Sequence, residues 1–186
     1  MEEDDVLRDL VKKAQNGDKD AFVELIEQNK LALARAAKAI VHNDNDIADA
    51  MQDTVLTAFT KLYTLKQPKY FKTWITRILI HNCCAILKKQ RKIIPVEHIT
   101  EYGYEDNRDT SLDVQSILDT LPENDRLILT LYYLDDISVK DISKLLNLKE
   151  NTVKSKLSRG RTKFSKIYKS REGNSDEIHR ESYCKT

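Results

Sequence analysis

Between Lys149 and Phe164 the chain reads KENTVKSKLSRGRTKF, with six basic side chains and one acid in sixteen residues. Placed on a helix at about 100° per residue, Val153, Leu157, Phe164 and Ile167, with the small Gly160, fall within about 40° of one line. That face must dock on other helices. The far side carries Asn151, Ser155, Ser158, Arg159 and Thr162, and Lys154, Arg161, Lys156 and Lys163 lie on the two flanks. Short polar groups and one Arg suit hydrogen bonds to base edges, while Lys and Arg at the margins suit phosphates. A merely solvated face would mix Glu among its Lys residues for i,i+4 pairing. Here the one acid, Glu150, stands at the start, where the helix dipole favours it. The chemistry is recognition of duplex DNA.

Such a helix needs a frame. The unit ISVKDISKLLNLKENTVKSKL has the spacing of a helix-turn-helix: a short helix, a tight turn and a recognition helix. Ser138 with Asp141 three residues on forms a variant capping box. Asn147 is a left-handed turn residue before the last helix. Upstream, DVQSILDTLPENDRLILTLYYLDD gives two short helices punctuated by Leu121-Pro122.

A second basic block stands apart from the first. Residues 61–92 hold nine Lys or Arg and no acid, and residues 147–171 hold nine against one. Between and before them the chain is acidic, with nine acids against one base over 93–125 and thirteen against seven over 1–60. The net charge of +1 therefore conceals two alternating basic surfaces. Within the first of them, KYFKTWITRILIHNCCAILKKQRK reads as a basic amphipathic helix. Its Trp74 is either a core residue or a platform for an unstacked base.

Two further helices precede that block. NGDKDAFVELIEQNKLALARAAKAIV opens on a cap-like Asp18 and continues with Phe22, Leu25 and Ile26 at helical spacing. After a break at Asn43 to Asn45, DIADAMQDTVLTAFTKLYTL places Ile47, Met51, Val55, Leu56, Phe59 and Leu62 on one stripe. Asp46, Asp49, Gln52 and Asp53 lie opposite. Four Gly and three Pro in 186 residues leave long helices uninterrupted. The expected fold is all-α. Two small helical domains, 1–92 and 112–171, flank a flexible linker at 93–111, and a disordered tail follows at 172–186. No apolar run approaches the roughly 18 residues of a membrane span, and the acidic start MEEDDVLRDL is unlike a secretory signal. The expected compartment is the cytoplasm, without membrane insertion. Cys83 and Cys84 are adjacent and His81 is near them, but the spacing is poor for a metal. No metal and no cofactor are expected.

Taken together, DIADAMQDTVLTAFTKL, FKTWITRILIHNCCAILKKQRK and LPENDRLILTLYYLDDISVKDISKLLNLKENTVKSKLSRGRTKF resemble the extracytoplasmic-function (ECF) class of bacterial RNA polymerase sigma factors, over residues 18–170. The resemblance implies a first domain, sigma region 2, that binds core polymerase and the promoter −10 element. It implies a second, sigma region 4, that binds the −35 element by helix-turn-helix. Asp46, Asp49, Gln52 and Asp53 would meet the clamp helices of the β′ subunit. Lys69, Lys72, Thr73, Trp74, Arg77, His81 and Asn82 would serve the −10 element. Thr152, Lys154, Ser155, Lys156, Ser158, Arg159, Arg161 and Thr162 would serve the −35 element. The stretch from Arg126 to Asp136 matches the surface that binds the polymerase β flap, and 93–111 the segment threading toward the active channel.

Two positions depart from the family pattern. His81 stands where many members have Asn, with Asn82 one place later. Asn151 stands where Gly is common, and is expected to act as an N-cap. The resemblance also implies a membrane-anchored anti-sigma factor as partner and an envelope stress response, of the cell-wall or lysozyme-stress branch.

The alternative is a free-standing helix-turn-helix regulator whose first domain senses a ligand or dimerises. The acid-free block speaks against it, because a sensor domain needs no second nucleic-acid surface. An enzyme fits worst: no phosphate-cradling Gly loop and no nucleophile–base set is present, so no catalytic residue is expected.

Two substitutions test the helical wheel. Arg159→Ala is expected to cost about 1–3 kcal/mol at cognate promoters and to relax specificity at one −35 base pair. A uniform loss across unrelated sequences would make Arg159 a phosphate contact instead. On the flank, Lys156→Ala is expected to weaken binding uniformly and lower the salt slope by about one unit.

Overall fold

A computed structural model describes residues 2–93 and 114–183, with side chains over 5–90 and 114–171. Among the described residues the chain is helical, without strands. Four helices form the first unit: α1 (Glu2–Gln15), α2 (Lys19–Lys38), α3 (Asp44–Lys61) and α4 (Phe71–Ile93). Four more form the second: α5 (Val114–Asp119), α6 (Glu123–Leu129), α7 (Val139–Leu146) and α8 (Glu150–Tyr183), with a π-helical turn at Thr130–Leu134 after α6. The expected linker, 93–111, lies outside the described residues apart from Ile93, the last residue of α4.

Local chemistry sets the boundaries. Gly17 takes a φ of +95°, the left-handed turn that separates α1 from α2. Asp18 then caps α2, its Oδ1 accepting from the Ala21 amide at 3.0 Å. Asn43 caps α3 in the same way, accepting from the Asn45 amide at 2.8 Å. Pro68 opens the short 3-10 turn that leads into α4. From α1, the Gln15 side-chain amide donates to the Leu62 and Leu65 carbonyls, both at 2.9 Å, and so ties down the α3–α4 connection.

The core of the first unit is Val11, Leu25, Leu33, Ala37, Val41, Phe71, Ile75, Leu79 and Cys83, all essentially inaccessible. The α3 stripe is rotated from its expected setting. Ala50, Thr54 and Ala58 are its buried residues, while Leu56 and Phe59 are 57% and 53% exposed. Small side chains at a four-residue repeat let α3 approach its neighbours closely; Ile47, Met51 and Val55 of the stripe still pack half-buried against the core, while Leu56 and Phe59 turn outward. α8 also departs from expectation, running through Tyr183 and thus through most of the segment read as a disordered tail. That stretch holds no Pro, and a helix already nucleated extends at little further cost.

The two units share a polar seam. Arg126 of α6 is 2% exposed; its Nε donates to the Ala39 carbonyl at 3.2 Å, and its Nη2 lies 3.2 Å from His42 Nε2. Arg35 of α2 reaches the other way, to Asp135 Oδ1 from Nη2 at 2.7 Å and to the Leu134 carbonyl at 3.0 Å. Burial pushes the Asp135 carboxyl above the ordinary 3.8, against the opposing pull of Arg35 and then Lys72.

A raised carboxyl binds a proton more tightly in the folded chain than in the unfolded one. Its contribution to stability is therefore full below 3.8 and declines as pH rises through the raised value. The melting temperature of the native chain minus that of Asp135→Asn should fall as pH rises above the ordinary 3.8. A difference that is flat or rises over that range would contradict the burial account.

Candidate nucleic-acid interface

The helix-turn-helix is built by caps. Ser138 Oγ accepts from the Asp141 amide at 3.1 Å and donates to Asp141 Oδ2 at 2.7 Å, fixing the start of α7. Asn147 ends it at φ 52° and ψ 45°, the left-handed conformation expected of that residue. The Leu148 amide then bonds back to the Ser143 carbonyl at 2.9 Å, and α8 begins two residues later. The expected N-cap role of Asn151 is not what forms. Asn151 is the second residue of α8, and the Lys149 carbonyl accepts from the Thr152 and Val153 amides.

On α8, Val153 and Leu157 are buried, and Gly160 sits where a Cβ would stand 3.0 Å from Leu129 Cδ1. That clearance lets α8 lie close against α6. Arg171 donates to Ser116 Oγ at 2.7 Å and holds the same helix to α5. Opposite the packed face, Asn151, Lys154, Ser155, Ser158, Arg159, Arg161 and Thr162 are exposed, and Thr152 is half-buried. Ser155 Oγ donates to the Asn151 carbonyl at 2.8 Å and Thr162 Oγ1 to the Ser158 carbonyl at 3.1 Å. Both hydroxyls thus turn acceptor lone pairs outward, and rotation about the C–O bond converts either into a donor.

The flanks of this face are unequal. Lys163 Nζ lies 3.0 Å from Asp125 Oδ2, and Lys156 Nζ 3.8 Å from Oδ1 of the same carboxylate. Lys156 is half-buried and Asp125 nearly inaccessible. Nothing in the order of residues points to Asp125, which lies 38 positions before Lys163. Its only sequence cue is an acid in the first turn of a short helix.

α4 presents the second basic surface. Lys69, Arg77 and His81 are exposed; Lys72, Thr73, Trp74 and Asn82 are half-buried. Trp74 leans on Phe71, with ring centroids 5.9 Å apart, and packs against the core while keeping part of its surface open. The Asn82 amide donates to Thr54 Oγ1 at 3.1 Å, so this side chain braces α4 on α3, whereas its neighbour His81 faces solvent. Lys69 Nζ stands 5.0 Å over the Tyr70 ring.

Acidic side chains occupy the outer face of α3. Asp49, Gln52 and Asp53 are exposed, and the half-buried Asp46 accepts from Gln90 Nε2 at 2.8 Å. Leu56, Phe59 and the 77% exposed Tyr63 continue that face as an apolar strip which the charge pattern did not announce. In the second unit Tyr132, Tyr133, Ile137 and Val139 line a pocket of about 500 Å³ beside the π-helical turn.

None of these surfaces has the make-up of a metal site. Among the described residues no group of three or more His, Cys, Asp or Glu is placed to hold an ion. Of the trio His81, Cys83 and Cys84, only Cys83 points into the core, and burial pushes its thiol up to about 12. A thiol so held stays protonated at neutral pH.

Comparison with known proteins agrees with this division. Residues 25–93 match the family described as Sigma-70 region 2, and residues 111–164 match Sigma-70, region 4. RNA polymerase sigma factor SigV of Bacillus subtilis is 30% identical over 152 residues, covering 79% of this chain and 90% of that protein. ECF RNA polymerase sigma factor SigM of Mycobacterium tuberculosis is 27% identical over 156 residues, 81% of this chain and 79% of the relative. Two solved structures share the fold. CnrH in complex with the cytosolic domain of CnrY has a TM-score of 0.63 at 23% identity, covering 89% of this chain and 98% of that one. The sigma factor RpoE in complex with the anti-sigma factor NepR from Bartonella quintana has a TM-score of 0.61 at 21% identity, covering 78% and 97%.

Proposed function

This chain belongs to the ECF RNA polymerase sigma factors, and from that premise we propose how its surfaces divide the work of initiation. As a sigma factor it directs RNA polymerase to promoters. The reading has two DNA-facing helices on separate units. Thr152, Lys154, Ser155, Ser158, Arg159, Arg161 and Thr162 of α8 meet the −35 major groove. Lys69 of the preceding 3-10 turn, with Lys72, Thr73, Trp74, Arg77 and His81 of α4, meets the −10 element. The observation that carries it is the exposed strip of α8, polar at its centre and basic at its margins, on a helix whose other face is fully packed.

Asn82 has a smaller part in this proposal. Its amide is engaged with Thr54, so His81 is the residue offered to the −10 strand and Asn82 sets its angle. The partly open Trp74 supplies an edge for stacking without leaving the core.

Core polymerase is assigned to two faces. Asp49 and Asp53, with Asp46 at the margin, offer negative charge to the β′ clamp, Gln52 between them offers a neutral amide, and the adjoining Leu56 and Tyr63 supply apolar area. The pocket between Tyr132 and Val139 is assigned to the β flap. The chain itself contributes no catalytic group; polymerase does the chemistry. A membrane-anchored anti-sigma factor is the proposed regulator, and the cytoplasm the proposed compartment. Among the described residues no helix is long and apolar enough to cross a membrane.

Purified chain added to core polymerase is expected to give specific start sites on a promoter library. Reversing charge at Asp49 and Asp53 together, to Lys, should weaken binding to core at least about tenfold while leaving the melting temperature nearly unchanged, since both side chains are exposed. Unaltered affinity for core would remove the acidic face from the polymerase interface. A chain that gives no start sites, yet binds duplex DNA tightly alone, would favour the free-standing regulator.

A further inference from the structure

The recognition helix carries two basic pairs, each seven residues apart and so nearly in line on α8: Lys154 with Arg161, and Lys156 with Lys163. By sequence the two flanks are equivalent. In the folded chain they are not. Asp125, projecting from the first turn of α6, reaches both lysines of one pair, at 3.8 Å for Lys156 and 3.0 Å for Lys163. Lys154 and Arg161 are exposed, and no ion pair to either is formed among the described residues.

From this asymmetry we infer that Asp125 is a specificity-determining positioning residue: it withholds Lys156 and Lys163 from the DNA backbone and leaves phosphate contact to the Lys154–Arg161 flank. The inference rests on the proposed reading of α8 as the −35 helix. A phosphate can recruit Lys156 only by stripping a counter-charge from a carboxylate whose side chain is 10% exposed, and an unpaired carboxylate in that setting is costly. The more exposed Lys163 is held by the shorter contact.

Phosphate contacts add affinity without adding sequence information, each contributing close to one unit to the salt slope. One carboxylate shared by two lysines offsets one of their two charges, which lowers non-specific affinity and leaves base contacts through Ser155, Ser158 and Arg159 untouched. It also gives the helix a polarity, since one edge grips a strand and the other is braced against its own domain. Lys156, placed on the margin by the helical wheel, is in the folded chain also the partner of Asp125.

The test uses the full chain assembled with core polymerase, titrated against a promoter duplex and an unrelated duplex across salt. Asp125→Asn should steepen the salt slope by about one unit and raise affinity for the unrelated duplex more than for the promoter. Lys156→Ala with Lys163→Ala should lower the slope by at most about one unit, and Lys154→Ala with Arg161→Ala by about two. A purely structural Asp125 would move the melting temperature and leave the slope alone. The inference is overturned if the Lys156 and Lys163 pair lowers the slope as much as the other pair does. That comparison decides the matter even if Asp125→Asn fails to fold. If neither basic pair alters DNA binding, the reading of α8 itself fails, which is a separate outcome.

Discussion

A guanidinium cannot shed its proton inside a protein, so a buried arginine obliges its surroundings to supply acceptors. Arg126, at 2% exposure, is the largest fully buried side chain among the described residues, and much of the second unit is arranged around it. Its acceptors are backbone carbonyls from both units: Ala39 at 3.2 Å and Asp119 at 3.3 Å, with the Asp119 carboxylate 3.8 Å away. Ala39 is the C-cap of α2, where unsatisfied carbonyls and the helix dipole both favour a cation. Arg126 thus acts as a capping cation for a helix of the other unit. In doing so it sets where α6 stands, and α6 in turn sets α8. Leu129 fills the space beside Gly160, and Asp125, one residue before Arg126, takes hold of Lys156 and Lys163.

Features fixed by neighbours in the chain were legible in the sequence. Asp18, Ser138 and Asn147 occupy the caps and turn expected of them, because each acts within a few residues of itself. The division into two helical units and the packed face of α8 followed from period and charge. What escaped depends on which residues meet across the fold. Asn151 looked like a cap, but the Lys149 carbonyl starts the helix first. Leu56 and Phe59 looked like core on apolarity alone, yet α3 turns Ala50, Thr54 and Ala58 inward, because a close helix crossing selects for small volume as well as apolarity.

The candidate site was legible in kind more than in assignment. Residue types on α8 were enough to separate a polar centre from basic margins, and the exposed face has that arrangement. They were not enough to tell one margin from the other, because Asp125 on another helix pairs with only one of them. The same holds on α4, where His81 and Asn82 are adjacent in sequence but differ by about 100° around the axis. That rotation sends one to solvent and the other to Thr54 on α3.

The seam between the units is built largely of charged groups, and their chemistry sets what it costs to open. The chemistry of the seam suits parting. Arg35 is already 36% exposed, and Asp135 regains hydration that burial had denied it. Opening also exposes apolar surface, because one hydrophobic cluster spans both units, whereas the charged groups exchange protein partners for water. Separation therefore costs most at Arg126, whose bond to the Ala39 carbonyl is the most deeply buried polar contact across the seam.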